Sequence, residues 1–190
     1  MKITLAQINP TVGALKDNCA KIKNIINKYS KNCELIVFPE MVLTGYPPQD
    51  LLLDPSFIIN AKSSLDKLAS LSCDTPVIIG TIRKCGSKLY NTAAIIQNGK
   101  IQAFRDKTHL PCYDVFDEQR YFSSAQSIDV VELNINNKLY KIGLQICEDL
   151  WDEDYEINVS QELYNQGAEL IVNISASPYH VNRLTQRLDL

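Results

Sequence analysis

The chain has 190 residues, of which 45% are hydrophobic and 22% are charged, and its formal net charge is −3. This composition fits a single soluble globular domain with a substantial core. The slight acidity gives no reason to expect nucleic acid or an anionic membrane as a partner, and no apolar run approaches the ~20 residues that span a bilayer.

The first half of the chain alternates predicted strands and helices. Strands are predicted over residues 1–8, 34–38 and 76–82 from alternating or continuous apolar residues. Between them, apolar residues at helical spacing predict amphipathic helices over residues 15–29 and 55–71. The strand at 34–38 is almost entirely apolar, which is typical of a strand buried on both faces.

The second half contains two predicted hairpins. The first covers residues 89–105 and turns at Asn98-Gly99, and the second covers residues 128–146 and turns near Asn136-Asn137. The remaining predicted elements are a helix over 156–166, a strand over 169–174, and a helix that begins in the last ten residues.

Interleaved strands and helices with two hairpins exclude a purely parallel sheet. They predict helices packed on mixed sheets, most simply as a layered α/β sandwich. Because the chain stops inside a predicted helix without a polar tail, we expect a fragment of a longer protein.

The six cysteines are scattered and form no C-x-x-C pair. The N-terminus already has a strand pattern and lacks the apolar core and cleavage site of a signal peptide. We therefore expect a cytoplasmic protein with free thiols. A zinc site is not expected, because only His109 and His180 could join the thiols and no ligand spacing fits.

Three candidate catalytic residues each follow a different apolar strand. Cys147 stands where the strand of the second hairpin gives way to a turn, a position from which a thiol and the next backbone N–H groups can face a substrate. Glu40 follows the strand at 34–38, and Lys107 closes the first hairpin. Each has an ordinary alternative interpretation: a packing cysteine, a solvated carboxylate and a surface lysine.

Together, these residue types suit acyl transfer through a thioester, with a nucleophile, a general base and a cation for the oxyanion. Glu148 and Asp149 beside the cysteine disfavour a thiolate. We therefore expect the Lys107 ammonium to help keep the thiolate available.

Four blocks of sequence surround these residues. They are F-P-E with L-T-G-Y-P-P-Q-D-L-L, then Lys107 ahead of L-P-C-Y-D-V-F-D-E-Q-R-Y-F, then I-C-E-D-L-W, and finally N-I-S-A-S-P-Y-H. In this order they resemble the signatures of the nitrilase (carbon–nitrogen hydrolase) superfamily, and more narrowly the glutaminase domains of glutamine-dependent NAD synthetases. The resemblance implies a nitrilase-type α-β-β-α sandwich with mixed sheets. It also implies that residues 1–190 form an N-terminal glutaminase domain, truncated at its C-terminal end and without the ATP-dependent synthetase domain.

The resemblance assigns roles to the candidate residues. It implies that Glu40 is the general base, Lys107 the oxyanion-stabilising cation and Cys147 the nucleophile. Glu118 resembles a second glutamate that orients the lysine or the attacking water. The backbone N–H of Glu148 is expected to complete the oxyanion site.

The resemblance further implies that Tyr113 and the pair Ser177 and Arg183 line a glutamine pocket. An arginine fork suits the α-carboxylate of a free amino acid, although a helix-surface arginine remains the alternative for Arg183. Cys112 stands where the family often has asparagine, which would add a second reactive thiol. His109 matches no catalytic position and is interpreted as structural.

The implied reaction is the hydrolysis of glutamine through a cysteinyl thioester, with release of ammonia. No cofactor or metal is implied for this domain, and ATP and magnesium belong to the synthetase domain that converts deamido-NAD to NAD. The implied partners are glutamine, that C-terminal domain and further copies in a homo-oligomer. Two alternatives stay open: a stand-alone hydrolase of another small amide, and a non-catalytic docking or oligomerisation fragment.

Overall fold

The computed structural model of the protein describes residues 1–153, 155–181 and 183–188. The larger of its two sheets has five strands in sequence order. The first three strands are parallel and the last three antiparallel. These strands are β1 (Ile3–Leu5), β2 (Leu35–Val37), β3 (Val77–Cys85), β4 (Lys88–Gln97) and β5 (Lys100–Asp106).

The smaller sheet pairs its first two strands antiparallel and its last two parallel. Its strands are β6 (Val131–Ile135), β7 (Lys138–Ile146) and β8 (Leu170–Ile174). The α-helices are α1 (Leu15–Tyr29), α2 (Pro55–Ser70), α3 (Val159–Asn165) and α4 (Arg183–Leu188), and short 3₁₀ turns lie at Gln49–Leu53, Glu118–Arg120 and Cys147–Leu150.

The side chains of β2 alternate between two cores. Ile36 packs on the helical side with Ile22 of α1 and Leu65 of α2, whereas Leu35 packs with Leu144 of the smaller sheet. The other face of the smaller sheet is covered by α3, which contacts β7. The layers therefore form the α-β-β-α sandwich with mixed sheets that the family resemblance implies.

Both predicted hairpins are confirmed. Their turns carry positive φ values at Asn98 (53°) and Gly99 (75°), and at Asn136 (52°) and Asn137 (62°), as the favoured two-residue hairpin turns require. The structure adds a third hairpin, because β3 continues to Cys85 and pairs along its whole length with β4. The polar ends of these two strands concealed it in the sequence.

Two predicted elements have different boundaries in the structure. The first strand covers only Ile3–Leu5 instead of residues 1–8. The helix predicted over 156–166 begins at Val159, where the Asn158 side chain accepts a hydrogen bond from the Gln161 N–H and caps the helix. The last predicted helix is seen as α4, and residues 182, 189 and 190 lie outside the described part of the chain.

All six cysteines are free thiols. Within the described ranges, no group of three or more His, Cys, Asp or Glu side chains is arranged to hold a metal ion. None of the helices in those ranges is long and apolar enough to cross a bilayer.

Candidate active site

The three candidate residues converge from three strand ends. Glu40 lies three residues after β2, Lys107 follows β5 directly and Cys147 follows β7 directly. Their relative exposures are 1%, 1% and 5%. The alternatives of a solvated carboxylate and a surface lysine therefore do not apply.

Lys107 lies between two buried carboxylates. Its Nζ is 2.9 Å from Oε1 of Glu40 and 2.8 Å from Oε1 of Glu118. Glu118 belongs to the 3₁₀ turn that follows the loop after Lys107, and it is 5% exposed. The structure thus brings Glu118 into the same cluster as Glu40 and Lys107.

Two further side chains hold this cluster and were missed in the sequence. The amide of Asn91 donates to Glu40 at 2.7 Å and to Glu118 at 3.3 Å. The hydroxyl of Tyr46 donates to Glu118 at 2.9 Å. Tyr46 lies inside the L-T-G-Y-P-P block, whereas β4 mixes polar and apolar residues and gives no signal for Asn91.

The turn that carries Glu40 crosses β3 at close range. A Cβ on Gly80 would lie 2.3 Å from the carbonyl oxygen of Pro39 and 2.4 Å from the backbone nitrogen of Met41. Only glycine leaves room for that backbone approach. The second carboxylate oxygen of Glu40 accepts the backbone N–H of Ala176 at 2.9 Å, so both oxygens of Glu40 are hydrogen-bonded.

Cys147 occupies a strained turn between β7 and the 3₁₀ turn Cys147–Leu150. Its φ is 48°, in the left-handed region that non-glycine residues seldom adopt and that recurs at functional sites. The Asn173 amide donates to the carbonyl of Cys147 at 3.2 Å. Glu148 follows Cys147 in the first turn of this 3₁₀ segment, where backbone N–H groups have no partner within the turn.

The pKa of the Cys147 thiol is the result of opposing effects from its surroundings. Burial, together with the charge of Glu40, raises the pKa of Cys147 to about 12, and the opposing effects of Lys107 and Ser175 are smaller. Lys107 lowers the pKa of the thiol, in the expected direction, but burial and the charge of Glu40 outweigh it. The raised pKa favours the neutral thiol in the resting site.

The pKa values of Lys107 and Glu118 are also shifted. Burial lowers the pKa of Lys107, but the charges of Glu40 and Glu118 outweigh it, and the net pKa is well above the usual value. Burial raises the pKa of Glu118, against the opposing effect of Lys107. The ammonium is therefore firmly charged.

Tyr113, which is predicted to line the substrate pocket, contacts the 3₁₀ turn Cys147–Leu150. Its hydroxyl donates to both carboxylate oxygens of Glu148, at 2.9 and 3.0 Å, and the hydroxyl of Tyr155 donates to one of them at 3.1 Å. Burial, with a contribution from Glu148, raises the pKa of Tyr113 to about 12. Half of the Tyr113 side chain remains exposed.

The hydrogen bonds of Ser177 and Arg183 go to different partners. Arg183 stacks on Trp151, with its guanidinium carbon 3.9 Å from the ring centroid, and donates to Gln186. The hydroxyl of Ser177 accepts instead from Arg187 at 3.0 Å, an arginine that the sequence analysis did not select.

A cavity of about 570 Å³ opens beside Glu40. Its walls include Tyr46, Trp151, Ser177 and Arg187. Such a volume accommodates a small amino acid, and the arginine and serine provide donors for a carboxylate.

The two remaining residues that the sequence singled out lie near Tyr155. The ring of His109 stacks on Tyr155 with centroids 3.9 Å apart, and its Nε2 is 2.9 Å from the carbonyl oxygen of Ile157. These contacts hold the His109 ring against the segment that contains Tyr155 and Ile157. Cys112 is exposed.

An α-β-β-α sandwich that gathers a thiol, a carboxylate and an ammonium beyond its strand ends defines a cysteine hydrolase of the nitrilase type. The sequence profile of the carbon–nitrogen hydrolase family matches residues 2–190. The chain belongs to that family.

Its relatives include much longer proteins. The chain is 40% identical over 184 residues to a glutamine-dependent NAD(+) synthetase of Aquifex aeolicus, covering 96% of this chain and 31% of that protein. It is also 40% identical over 193 residues to a glutamine-dependent NAD(+) synthetase of Synechocystis sp., covering 93% of this chain and 34% of that protein. The solved glutamine-dependent NAD+ synthetase of Acinetobacter baumannii, in complex with ADP, superposes with a TM-score of 0.87 at 30% identity, covering 98% of this chain and 34% of that one. The chain thus spans about a third of the length of these relatives.

Proposed function

We propose that residues 1–190 act as the glutaminase domain of a glutamine-dependent NAD synthetase, hydrolysing the side-chain amide of glutamine to glutamate and ammonia. The observation that carries the proposal is the buried Glu40–Lys107–Glu118 cluster beside Cys147, with Lys107 within 2.9 Å of both carboxylates. The relatives named for glutamine use support the choice of substrate. A stand-alone hydrolase of another small amide would use the same cluster but a different pocket.

The first step is addition of the thiol to the amide carbonyl. Because the pKa of the buried Cys147 is raised to about 12, the sulfur must lose its proton as it attacks. Glu40 accepts that proton as the general base. The carbonyl oxygen becomes an oxyanion, which is stabilised by the Lys107 ammonium and the Glu148 N–H.

Collapse of the tetrahedral intermediate breaks the carbon–nitrogen bond. Glu40 returns its proton to the departing nitrogen, so that ammonia leaves and a glutamyl thioester remains on Cys147. Water then attacks the thioester while Glu40 takes one of its protons. Collapse of this second intermediate releases glutamate, and the proton on Glu40 restores the neutral thiol.

The surrounding side chains hold the reacting groups and the substrate. Glu118 keeps the ammonium in place, and Tyr113 contributes to the wall of the pocket next to the nucleophile. Ser177 and Arg183 bind the glutamine α-carboxylate, which suits a guanidinium fork. In this proposal Arg187 assists them, since it already bonds Ser177.

The ammonia is used by a C-terminal, ATP-dependent synthetase domain, which converts deamido-NAD to NAD. ATP and Mg²⁺ act at that domain, and the chemistry at Cys147 uses protein side chains. In this proposal residues 1–190 supply ammonia and do not themselves make NAD, and the protein works in the cytoplasm as a homo-oligomer.

An electrophilic glutamine analogue tests the proposal by intact-mass analysis. We expect one stoichiometric adduct on Cys147, which is absent in Cys147→Ala. Absence of an adduct, or labelling at Cys112 instead, would favour a non-catalytic fragment.

A substrate panel then separates the two enzymatic alternatives. Ammonia release from glutamine is compared with release from short aliphatic amides. Preferential turnover of the aliphatic amides would assign the chain to the stand-alone hydrolases.

A further inference from the structure

Asp149 is a buried carboxylate that the proposed reaction does not use. It lies two residues after Cys147 in the same 3₁₀ turn, and its exposure is 0%. Removing a carboxylate from water is unfavourable unless hydrogen bonds or an opposite charge compensate. The contacts of Asp149 therefore account for its presence in the core.

The two oxygens of Asp149 bind three backbone N–H groups. Oδ1 accepts from Thr108 at 2.9 Å and from His109 at 2.8 Å, and Oδ2 accepts from Ile146 at 3.1 Å. Thr108 and His109 directly follow Lys107, and Ile146 directly precedes Cys147. One carboxylate thus ties the segment that carries the ammonium to the segment that carries the thiol.

These two segments belong to different sheets. Lys107 leaves the end of β5 in the larger sheet, whereas Cys147 leaves the end of β7 in the smaller sheet. Packing between sheets relies on apolar contacts, which are not directional. The hydrogen bonds of Asp149 are directional, and they fix one strand end against the other.

The charge of Asp149 is compensated by a buried arginine. Nη2 of Arg105 lies 3.9 Å from Oδ2 of Asp149 and donates to the hydroxyl of Thr108 at 2.8 Å. Burial raises the pKa of Asp149, and Arg105 and the backbone N–H groups oppose that rise. Arg105 therefore reinforces the same connection from the side of the larger sheet.

We propose that Asp149 is a positioning residue, which sets the distance and orientation of the Lys107 ammonium relative to the Cys147 thiol through the backbone of residues 108, 109 and 146. Asp149 is not a catalytic residue, since its oxygens are bonded to those N–H groups and substrate does not reach them. The inference rests on the proposed glutaminase reaction. Reacting groups must be held within fractions of an ångström, and a misplacement of about 1 Å costs on the order of 10²-fold in rate.

The test compares Asp149→Asn with a matched carboxylate-to-amide change in the same loop. Asp152→Asn is the control, because Asp152 is also buried and its carboxylate binds the Asn158 amide rather than the strand ends. Asp149→Asn turns one acceptor oxygen into a donor that faces a donor. We expect kcat for glutamine to fall on the order of 10²-fold with little change in KM, and kcat of Asp152→Asn to stay at the wild-type value.

A double variant separates positioning from folding. Asp149→Asn leaves Arg105 without its counter-charge, which destabilises the fold. Asp149→Asn with Arg105→Met removes both charges, and we expect it to recover much of the lost Tm while kcat and the rate of Cys147 labelling by the glutamine analogue stay low.

Each outcome decides the inference. A folded double variant with wild-type kcat overturns it, and so does a loss of kcat that follows Tm equally in Asp149→Asn and Asp152→Asn. Failure of the wild-type protein to turn over glutamine or to be labelled at Cys147 overturns the proposed function and the inference together. An active wild type with an equally active Asp149→Asn overturns the inference alone.

Discussion

Replacing Lys107 by methionine tests the buried charge cluster directly. Methionine fills a similar volume but leaves Glu40 and Glu118 without the ammonium that lies 2.9 and 2.8 Å from them. Breaking a buried ion pair by removing one partner costs about 3–5 kcal/mol. For a domain of this size, that loss lowers the Tm by about 6–20 °C, at roughly 2–4 °C per kcal/mol.

The stability lost in Lys107→Met should increase with pH. Burial already raises the pKa of Glu118, and Lys107 opposes that rise, so removal of Lys107 raises it further. A carboxyl whose pKa is raised by folding stabilises the fold below its unfolded pKa of about 4.3, and this stabilisation is lost as the pH rises through the folded pKa. The stability difference between wild type and Lys107→Met should therefore be larger at pH 8 than at pH 5.

Urea unfolding at the two pH values measures the effect, with two comparison variants. Lys107→Met combined with Glu118→Gln removes one of the two unpaired carboxylates, and at pH 8 it should be more stable than Lys107→Met alone. Lys62→Met is the surface control: its pair with Asp66 is exposed, and such pairs contribute about 0–1 kcal/mol. Equal losses at pH 5 and pH 8, or a double variant less stable than the single one, would refute the reasoning.

Three further predictions follow from the same site. Alkylation of Cys147 by iodoacetamide should be slow at pH 7 and accelerate up to about pH 12, because burial and Glu40 raise the pKa of the thiol to about 12. Glu40→Gln should speed alkylation at pH 8 while abolishing glutamine turnover. A plateau of the wild-type alkylation rate below pH 9 would contradict this prediction. Asn91→Ala removes the amide that bridges the carboxylates of Glu40 and Glu118. In steady-state kinetics it should lower kcat about 10-fold or more with little change in KM. An unchanged kcat would exclude a role for Asn91 in holding the general base. Gly80→Ala places a methyl group 2.3 Å from the carbonyl of Pro39 and should cost more than about 2 kcal/mol in urea unfolding, together with most of the activity; wild-type stability would show that the turn carrying Glu40 can move.

The strand ends that carry the site could be predicted from local patterns. The apolar run before Glu40, the hairpin before Lys107 and the alternating strand before Cys147 are all short-range signals, and the structure contains each of these elements. Which strand ends meet is a long-range property. It rested on the resemblance of sequence blocks, since periodicity does not say that β5 and β7 end at the same place.

The residues that hold the site could not be predicted in the same way. Asn91 occurs in a strand that also contains Lys88, Thr92 and Gln97, so its polar side chain does not stand out in the sequence. Asp149 was interpreted as a charge beside the thiol, because it follows Cys147 by two positions. In the folded chain its carboxylate is bonded to the backbone of Thr108, His109 and Ile146, and no sequence pattern carries that information.

The charge balance of the site explains how a neutral thiol can serve as the nucleophile. At rest, the Lys107 ammonium is shared by Glu40 and Glu118, and both of these residues raise the pKa of the thiol. In the proposed mechanism the thiol proton moves to Glu40 during attack, which neutralises one of those carboxylates as the oxyanion forms. The ammonium then faces one carboxylate and the new oxyanion, and the net charge of the site is unchanged. Lys107 therefore keeps two anionic partners throughout the step, so the oxyanion forms beside a preorganised cation without adding net charge to the buried site.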